Sequence, residues 1–332
     1  MKVVYIHRNE KAGHSIRRVF KTISENLNES VDYDNVHLPQ FGSSPIKILK
    51  NLYFVYRMRD KKTIYHITGD VQYIILALFG LKTVLTIHDL VFLKNARNKI
   101  EFYIKKLFWV TLPVKIAAFT ICISENTKND ILKYYSKKKL KVILNPISNE
   151  FNYHFKEFNL INPIILHIGT GWNKNLQNVI SSLKEVNCHL RIIGFLNEEV
   201  RLLLAKNAVT YSSATNLSDQ EIIAEYQKAD IISFPSLYEG FGMPIIEGQT
   251  VGRPVLTSDI EPMLEVGDDS VCFVNPQEID SMRAGFLKII NDKSYRENIV
   301  GKGLLNIKRF DAKSISDKYL EIYRQLDRSN LN

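Results

Sequence analysis

Cysteine is nearly missing from this chain of 332 residues: three occur, Cys122, Cys188 and Cys272, each alone within an apolar run. With no CxxC spacing, a thiolate zinc framework is excluded. An odd, scattered set of thiols reads as reduced core residues, which points to a cytoplasmic protein without disulfides. Long apolar runs are missing too. The most hydrophobic window, residues 71–87, is broken by Gly80 and Lys82, so no membrane-spanning helix is expected. The opening MKVVYIHRNE is too short an apolar stretch for a secretory leader and reads as a first strand. Internal repeats, low-complexity tracts and clusters of metal ligands are not evident. Asp32-Tyr-Asp34 has the spelling of a metal-binding dicarboxylate, but it falls in a polar stretch read as loop, and no metal is expected.

What is present describes an ordinary globular protein, with 45% hydrophobic and 24% charged residues. The length suits two domains better than one core. The formal charge of +9 is unevenly spread: residues 1–158 hold 26 basic against 13 acidic side chains, and residues 159–332 hold 18 against 22. Such a basic half is expected to meet an anionic ligand or surface. No nucleic-acid module is recognisable and the aromatics form no stacking platform, so nucleic acid is not an expected partner.

Strand and helix patterns alternate along the whole chain. In the first half, residues 2–7, 62–67, 82–87, 119–124 and 142–147 read as strands. Helical spacing follows at 16–20, from about 71 with Thr68 or Asp70 as cap, and at 126–135; residues 136–141 are a solvated charge run. Residues 98–109 mix cations with aromatics, which suits either a helix lying on anionic lipid or a core helix. Residues 151–162 read as a linker. The second half repeats the alternation, with strands at 163–169, 189–194, 209–211, 229–234 and 253–257. Helices are expected at 176–184, 198–206, 222–228 behind a Ser218/Glu221 capping box, 279–290 and 314–326. This order predicts an α/β protein of doubly wound parallel sheets.

One stretch, residues 234–248, FPSLYEGFGMPIIEG, organises the reading. Gly240 and Gly242 allow a sharp turn and close approach of a ligand, and Pro244 suits the first helical residue. A loop that opens onto a helix N-terminus is an anion site, most often for phosphate. Glu239 and Glu247 flank it. Carboxylates repel phosphate, so the pair is read as accepting hydroxyl hydrogen bonds from a sugar or ribose. Phosphate and polyol together predict a sugar nucleotide.

The same string resembles the donor-site signature of the retaining glycosyltransferases of family 4, and the resemblance continues through GRPVLTSDIEPMLEVGDD to Asn275-Pro276. The family has the GT-B fold, two Rossmann-like domains with a cleft between them. It implies an acceptor-side domain over residues 1–158, a nucleotide-sugar domain over 159–312, and a terminal helix, 313–332, crossing back to the first. In this likeness the catalytic residues are His88, Lys174 and Glu239. His88 follows a strand directly and would border the anomeric centre. Lys174, in the loop Gly169-Thr170-Gly-Trp-Asn-Lys, would neutralise the leaving diphosphate, without the arginine that most of the family place there. Gly169, Thr170, Gly240, the Phe241 and Gly242 amides, and Glu247 at the ribose would complete the donor site. The family's glycine-rich first loop is reduced here to Gly13, with His14, Arg17 and Arg18 beside it as candidates for an acceptor phosphate.

The implied reaction moves a sugar from a nucleoside diphosphate sugar, with retention and no further cofactor or metal, to a saccharide acceptor. A lipid-diphosphate-linked acceptor at the inner face of a bacterial membrane, as in O-antigen or capsule assembly, suits the basic first domain, with peripheral contact to anionic lipid. The alternatives are another GT-B enzyme, a nucleotide-sugar epimerase or a phosphorylase, and, from a different class, a basic nucleotide-binding protein without catalysis.

Overall fold

The structure, a computed structural model, describes residues 1–12, 15–27, 29, 31–135 and 140–328. Gly13, His14 and most of the charge run at 136–141 lie outside the described residues. The chain forms two units, one of residues 1–148 with 311–332 and one of residues 149–310. The stretch 149–158, read as part of the first half, belongs to the second unit. It is held there by backbone contact of His154 with Val251 and by Arg253, whose guanidinium donates to the His154 carbonyl at 2.9 Å.

Unit 1 is built on β1 (Lys2–His7), β2 (Asp32–His37), β3 (Thr63–Ile67), β4 (Thr83–Ile87), β5 (Phe119–Cys122) and β6 (Leu140–Val142), in the order β2-β1-β3-β4-β5-β6. Unit 2 is built on β7 (Ile164–Ile168), β8 (His189–Ile193), β9 (Thr210–Ala214), β10 (Ile231–Phe234), β11 (Val255–Ser258) and β12 (Cys272–Val274), in the order β12-β11-β10-β7-β8-β9. All ten pairings are parallel. Central strands such as β3, β4, β10 and β11 are buried along their whole length, because helices cover both faces of a parallel sheet and leave no polar side to alternate. In each order the direction of winding reverses once, between β1 and β3 and between β7 and β10. Carboxyl ends of strands at such a reversal are where open α/β sheets bind ligands.

Three local expectations need correction. Asp32-Tyr-Asp34 lies in the edge strand β2, and Asp34 pairs with Lys2 of β1 at 2.9 Å. Residues after β3 form a 3₁₀ stretch, Gln72–Leu78, instead of an α-helix, with no side-chain cap. Asp70 is turned the other way, its carboxylate accepting from Arg8 at 2.7 Å. Residues 98–109 divide into a helix, Lys99–Lys105, and a π-helical stretch, Lys106–Thr111.

The terminal helix, Ala312–Arg328, completes the core of unit 1 against the helix Ser15–Glu25 and β3. Tyr319 and Tyr323 are wholly buried. The Tyr323 hydroxyl is hydrogen-bonded to His66 Nδ1 at 2.6 Å, and His66 Nε2 to Thr86 Oγ1 at 2.8 Å. His7 is hydrogen-bonded to Asn35 at 2.8 Å and to Thr68 at 3.0 Å.

Candidate functional site

The reversal of unit 2 brings together the loop after β7 and the loop after β10. The first begins at Gly169, whose φ of 92° only glycine adopts without strain. Lys174 folds back over that backbone: a Cβ on Gly169 would lie 3.0–3.3 Å from its methylene chain. Asn175, left-handed at φ 63°, starts the helix Leu176–Ser182. Its buried amide donates to the Pro235 carbonyl at 3.0 Å and the Pro276 carbonyl at 2.7 Å. One side chain thus ties together the glycine loop, the signature loop and the Asn275-Pro276 segment.

Across this junction Lys174 Nζ donates to Glu239 Oε1 at 2.7 Å, with side-chain exposures of 23% and 16%. The ammonium also lies 4.9 Å from the centre of the Phe234 ring. Asn173 donates to the same Glu239 oxygen at 3.2 Å and to the Tyr238 carbonyl at 3.1 Å. The two residues singled out as the diphosphate cation and the sugar-hydroxyl acceptor therefore meet in one partly open pair, 65 positions apart in sequence. Thr170 nests on Gly194, where a Cβ would come within 2.7 Å of its methyl group.

The signature loop ends at Gly242, φ 127°, which caps the helix Met243–Thr250. Met243 takes the first helical position and Pro244 the second, a residue later than the sequence reading placed it. Glu247 follows one turn in. It is 6% exposed and accepts from the Tyr226 hydroxyl at 2.6 Å, so the helix Asp219–Lys228, begun by the complete Ser218/Glu221 capping box, supplies its partner. Phe241 is buried edge-on against Phe310. Its ring belongs to the core of unit 2.

Gly248 lets this helix lie close to the sheet: a Cβ there would meet Ile232 Cγ1 at 2.7 Å and Val255 Cγ2 at 3.0 Å. Gly248→Val is expected to destabilise unit 2 by about 1–3 kcal/mol, since overpacking must push the helix outward. Denaturant unfolding of the variant measures it, and unchanged stability would show that the contact yields freely.

His167, at the end of β7, escaped the sequence reading. It is buried beneath the glycine loop, with Nδ1 3.4 Å from Ser233 Oγ. Burial, reinforced by the Lys174 charge, pushes it down to about 3, so the ring under the site is neutral.

In unit 1 His88 follows β4, as the sequence placed it. Its Nε2 is 2.8 Å from the Thr68 carbonyl, and Gly69 covers its ring. Burial holds it below the usual histidine range. At the reversal of the first sheet a pocket of about 220 Å³ is lined by Arg8, Gln40, Phe41, Asp70, Tyr73 and Trp109, among others. Tyr73 and Trp109 have ring centres 5.0 Å apart, and Asn51 donates to the Tyr73 hydroxyl at 3.0 Å. No group of three His, Cys, Asp or Glu side chains among the described residues could hold a metal ion.

Two parallel-sheet units, each reversing its winding once, have the architecture of the GT-B fold. Solved structures agree over the full length. Sucrose-phosphate synthase from Thermosynechococcus elongatus superposes with a TM-score of 0.80, covering 98% of this chain and 99% of that one at 14% identity. Anabaena HepE, solved with UDP and glucose, gives 0.77 over 98% and 100%, also at 14% identity. Residues 151–304, a little under half of the chain, match the family model Glycosyl transferases group 1. Among curated relatives, O-antigen chain mannosyltransferase B of Escherichia coli is 32% identical over 108 residues, 32% of this chain and 28% of its own length. O-antigen chain mannosyltransferase RfbU of Salmonella typhimurium is 26% identical over 204 residues, 57% of this chain and 56% of its own length. The chain thus spans about half or less of the length of these two relatives.

Proposed function

We propose that this protein is a retaining glycosyltransferase of family 4, which moves a hexose from a nucleoside diphosphate sugar to a saccharide carried on a lipid diphosphate. The surface polysaccharide would be of the O-antigen or capsule kind, built at the cytoplasmic face of the membrane. The observation that carries the reading is the Lys174–Glu239 pair at the β7/β10 reversal. With 23% and 16% of the two side chains exposed, the pair separates only where each charge meets a new partner. A diphosphate takes the ammonium and a sugar hydroxyl takes the carboxylate, each gaining a charge-assisted hydrogen bond.

In this mechanism Lys174 meets the charge that grows on the departing diphosphate, together with the amides of Phe241 and Gly242 at the helix N-terminus. Glu239 accepts from donor-sugar hydroxyls, and Glu247, steadied by Tyr226, accepts from the ribose. Gly169, Thr170 and Gly240 complete the proposed donor site, with Gly169 letting Lys174 fold over its backbone. The reaction draws on no metal or further cofactor. His88, neutral and fixed by the Thr68 carbonyl, is the catalytic residue we assign to unit 1. The pocket beside Asp70 suits the acceptor saccharide, because its aromatic faces match C–H surfaces of a sugar and its polar groups match hydroxyls.

The relatives' names make mannose the first donor sugar to test. Thermal melting against a panel of nucleoside diphosphates and their mannosyl and glucosyl derivatives reads the donor site. One nucleotide at a hundred times its dissociation constant is expected to stabilise by about 2.7 kcal/mol. No response to any member of the panel would overturn the donor assignment. Consumption of the sugar nucleotide without a transferred product, in the presence of lipid-linked saccharides, would favour an epimerase.

A further inference from the structure

Unit 2 has a second opening, at the edge of its sheet where the strands begin. A pocket of about 560 Å³ lies beside the starts of β10 and β11, lined by the segment 153–160 and by the helix Lys293–Asn306. Lys174 and Glu239 lie at the opposite edge, after the ends of β7 and β10. A volume of this order, within about 300–1,000 Å³, suits a small molecule. Phe155, Phe158, Leu160, Pro254 and Val300 give the pocket apolar walls. Phe158 packs on the core of the unit, while Phe155 and Leu160 are 76% and 63% exposed.

Two buried guanidiniums share this lining, Arg253 and Arg296, 4% and 6% exposed. Arg253 donates through Nη1 to the carbonyls of His154, Val251 and Gly252 and through Nη2 to that of Gln227, and its Nε has no partner. Arg296 lies over Phe158, its guanidinium carbon 4.0 Å from the ring centre. It donates through Nη1 to the carbonyls of Ile289 and Ile290 at 2.7 and 2.9 Å. Among the described residues its Nε and Nη2 make no hydrogen bond, although a guanidinium carries five N–H donors.

The buried negative charge within reach is already taken. Asp230 accepts from Lys156 and from the backbone N–H groups of Asn159 and Ile164, at 3.1 and 2.8 Å. Glu157 and Glu297, which also line the pocket, are exposed to water. Lys156, Arg253 and Arg296 therefore face one buried carboxylate, and burial draws both guanidiniums below their ordinary range. A buried cation is costly until an anion answers it. The open edge of Arg296, Nε beside Nη2, matches a carboxylate or a phosphate, each of which takes a guanidinium through two parallel hydrogen bonds. A bare inorganic anion would answer the charge and leave the apolar walls wet. A neutral apolar molecule would cover the walls and leave the charge unanswered, and a metal ion would be repelled.

We propose that this pocket binds a small organic anion, a carboxylate or phosphate on an aromatic or apolar body, with its head on Arg296 and its body against Phe155, Leu160 and Val300. The site lies apart from the donor loops and needs no step of the transfer reaction.

Phenyl phosphate and phenylacetate carry both parts, whereas inorganic phosphate, acetate and benzyl alcohol carry one each. Titration of the full chain by calorimetry or ligand-observed NMR is expected to show the two aromatic anions binding about tenfold tighter than the other three probes. Arg296→Gln should weaken both by about tenfold. Because Arg296 also holds the end of the helix Ile279–Asn291 through its two carbonyl contacts, two variants that leave it in place repeat the test. Phe155→Ala removes an exposed ring and should weaken binding by about fivefold. Gly301→Trp, at a pocket-lining helical position where a Cβ would meet nothing within 4 Å, should block it. Lys174→Ala should bind the probes as the parent does, which separates this pocket from the donor site. Equal affinity for all five probes, or no binding of the aromatic anions, would overturn the assignment. So would parental affinity in both Phe155→Ala and Gly301→Trp, or loss of binding in Lys174→Ala.

Discussion

Lys174→Ala is expected to lower turnover about a hundred- to thousandfold, the usual effect of removing one preorganised group from a developing negative charge. The loss comes from the departing diphosphate, because Lys174 is the cation that the glycine loop holds against the signature loop. The fold itself has little at stake. Lys174 ends a short 3₁₀ turn, Trp172–Lys174, and is 23% exposed, and Glu239 keeps the Asn173 amide as donor after the change. Melting should therefore shift by little while product formation from a labelled nucleotide sugar collapses. Glu239→Gln is expected to act through the same unit, losing the charge that holds both the ammonium and the donor sugar. Residues that act together are non-additive, so the double variant should fall only slightly below either single one. An alanine variant with half or more of the parent turnover would remove Lys174 from the mechanism. Equal, independent losses that multiply in the double variant would mean that the pair is separate during turnover.

The signature at 234–248 could be read because its chemistry is local. Two glycines, a proline and two glutamates specify a turn and a helix start within 15 residues, and the structure builds that turn and helix. Ser218 and Glu221 were legible for the same reason: a capping box closes within one helical turn. The pairing of Lys174 with Glu239 was not legible, since 65 residues and three intervening strands separate them. Asn175 gave no signal, because its value lies in two carbonyls supplied by Pro235 and Pro276. Nor did His167, which reads in sequence as one more residue of an apolar strand.

Edges and surfaces hid for a different reason. The strand β2 was taken for a loop because its DYDNVH sequence has no apolar run. It is held through backbone pairing with β1 and the Lys2–Asp34 contact, and an edge strand needs little more. The helix Pro45–Tyr56 lacks a clear polar face, so the usual amphipathic pattern was blurred by the exposed Ile46, Leu49, Tyr53 and Tyr56.

Acid is expected to weaken both units progressively once the pH falls below about 6.5. Burial is the chief cause of the depressed histidines. His7 is pushed down to about 4, with the Asn35 hydrogen bond partly opposing, and His167 to about 3, with Lys174 adding to the effect. His66 and His88 are depressed in the same direction by burial. In the unfolded chain each ring takes its proton near pH 6.5. Between that pH and the folded value the unfolded state binds more protons, so stability is full above about pH 6.5 and falls as the pH drops. For His7 the whole interval amounts to about 3 kcal/mol, and for His167 to about 5 kcal/mol. Against a usual stability of about 5–15 kcal/mol, either is a large fraction. Urea unfolding at pH 7.5, 6 and 5 should show midpoints falling with pH, with proton uptake accompanying unfolding at the lower values. His167→Gln should flatten the dependence in unit 2, and His7→Gln should flatten it in unit 1. The donor site rests on β7 directly above His167, so nucleotide binding at pH 5 should survive better in His167→Gln than in the parent protein. Midpoints that do not change between pH 7.5 and 5 would show that these rings find their protons in the folded state.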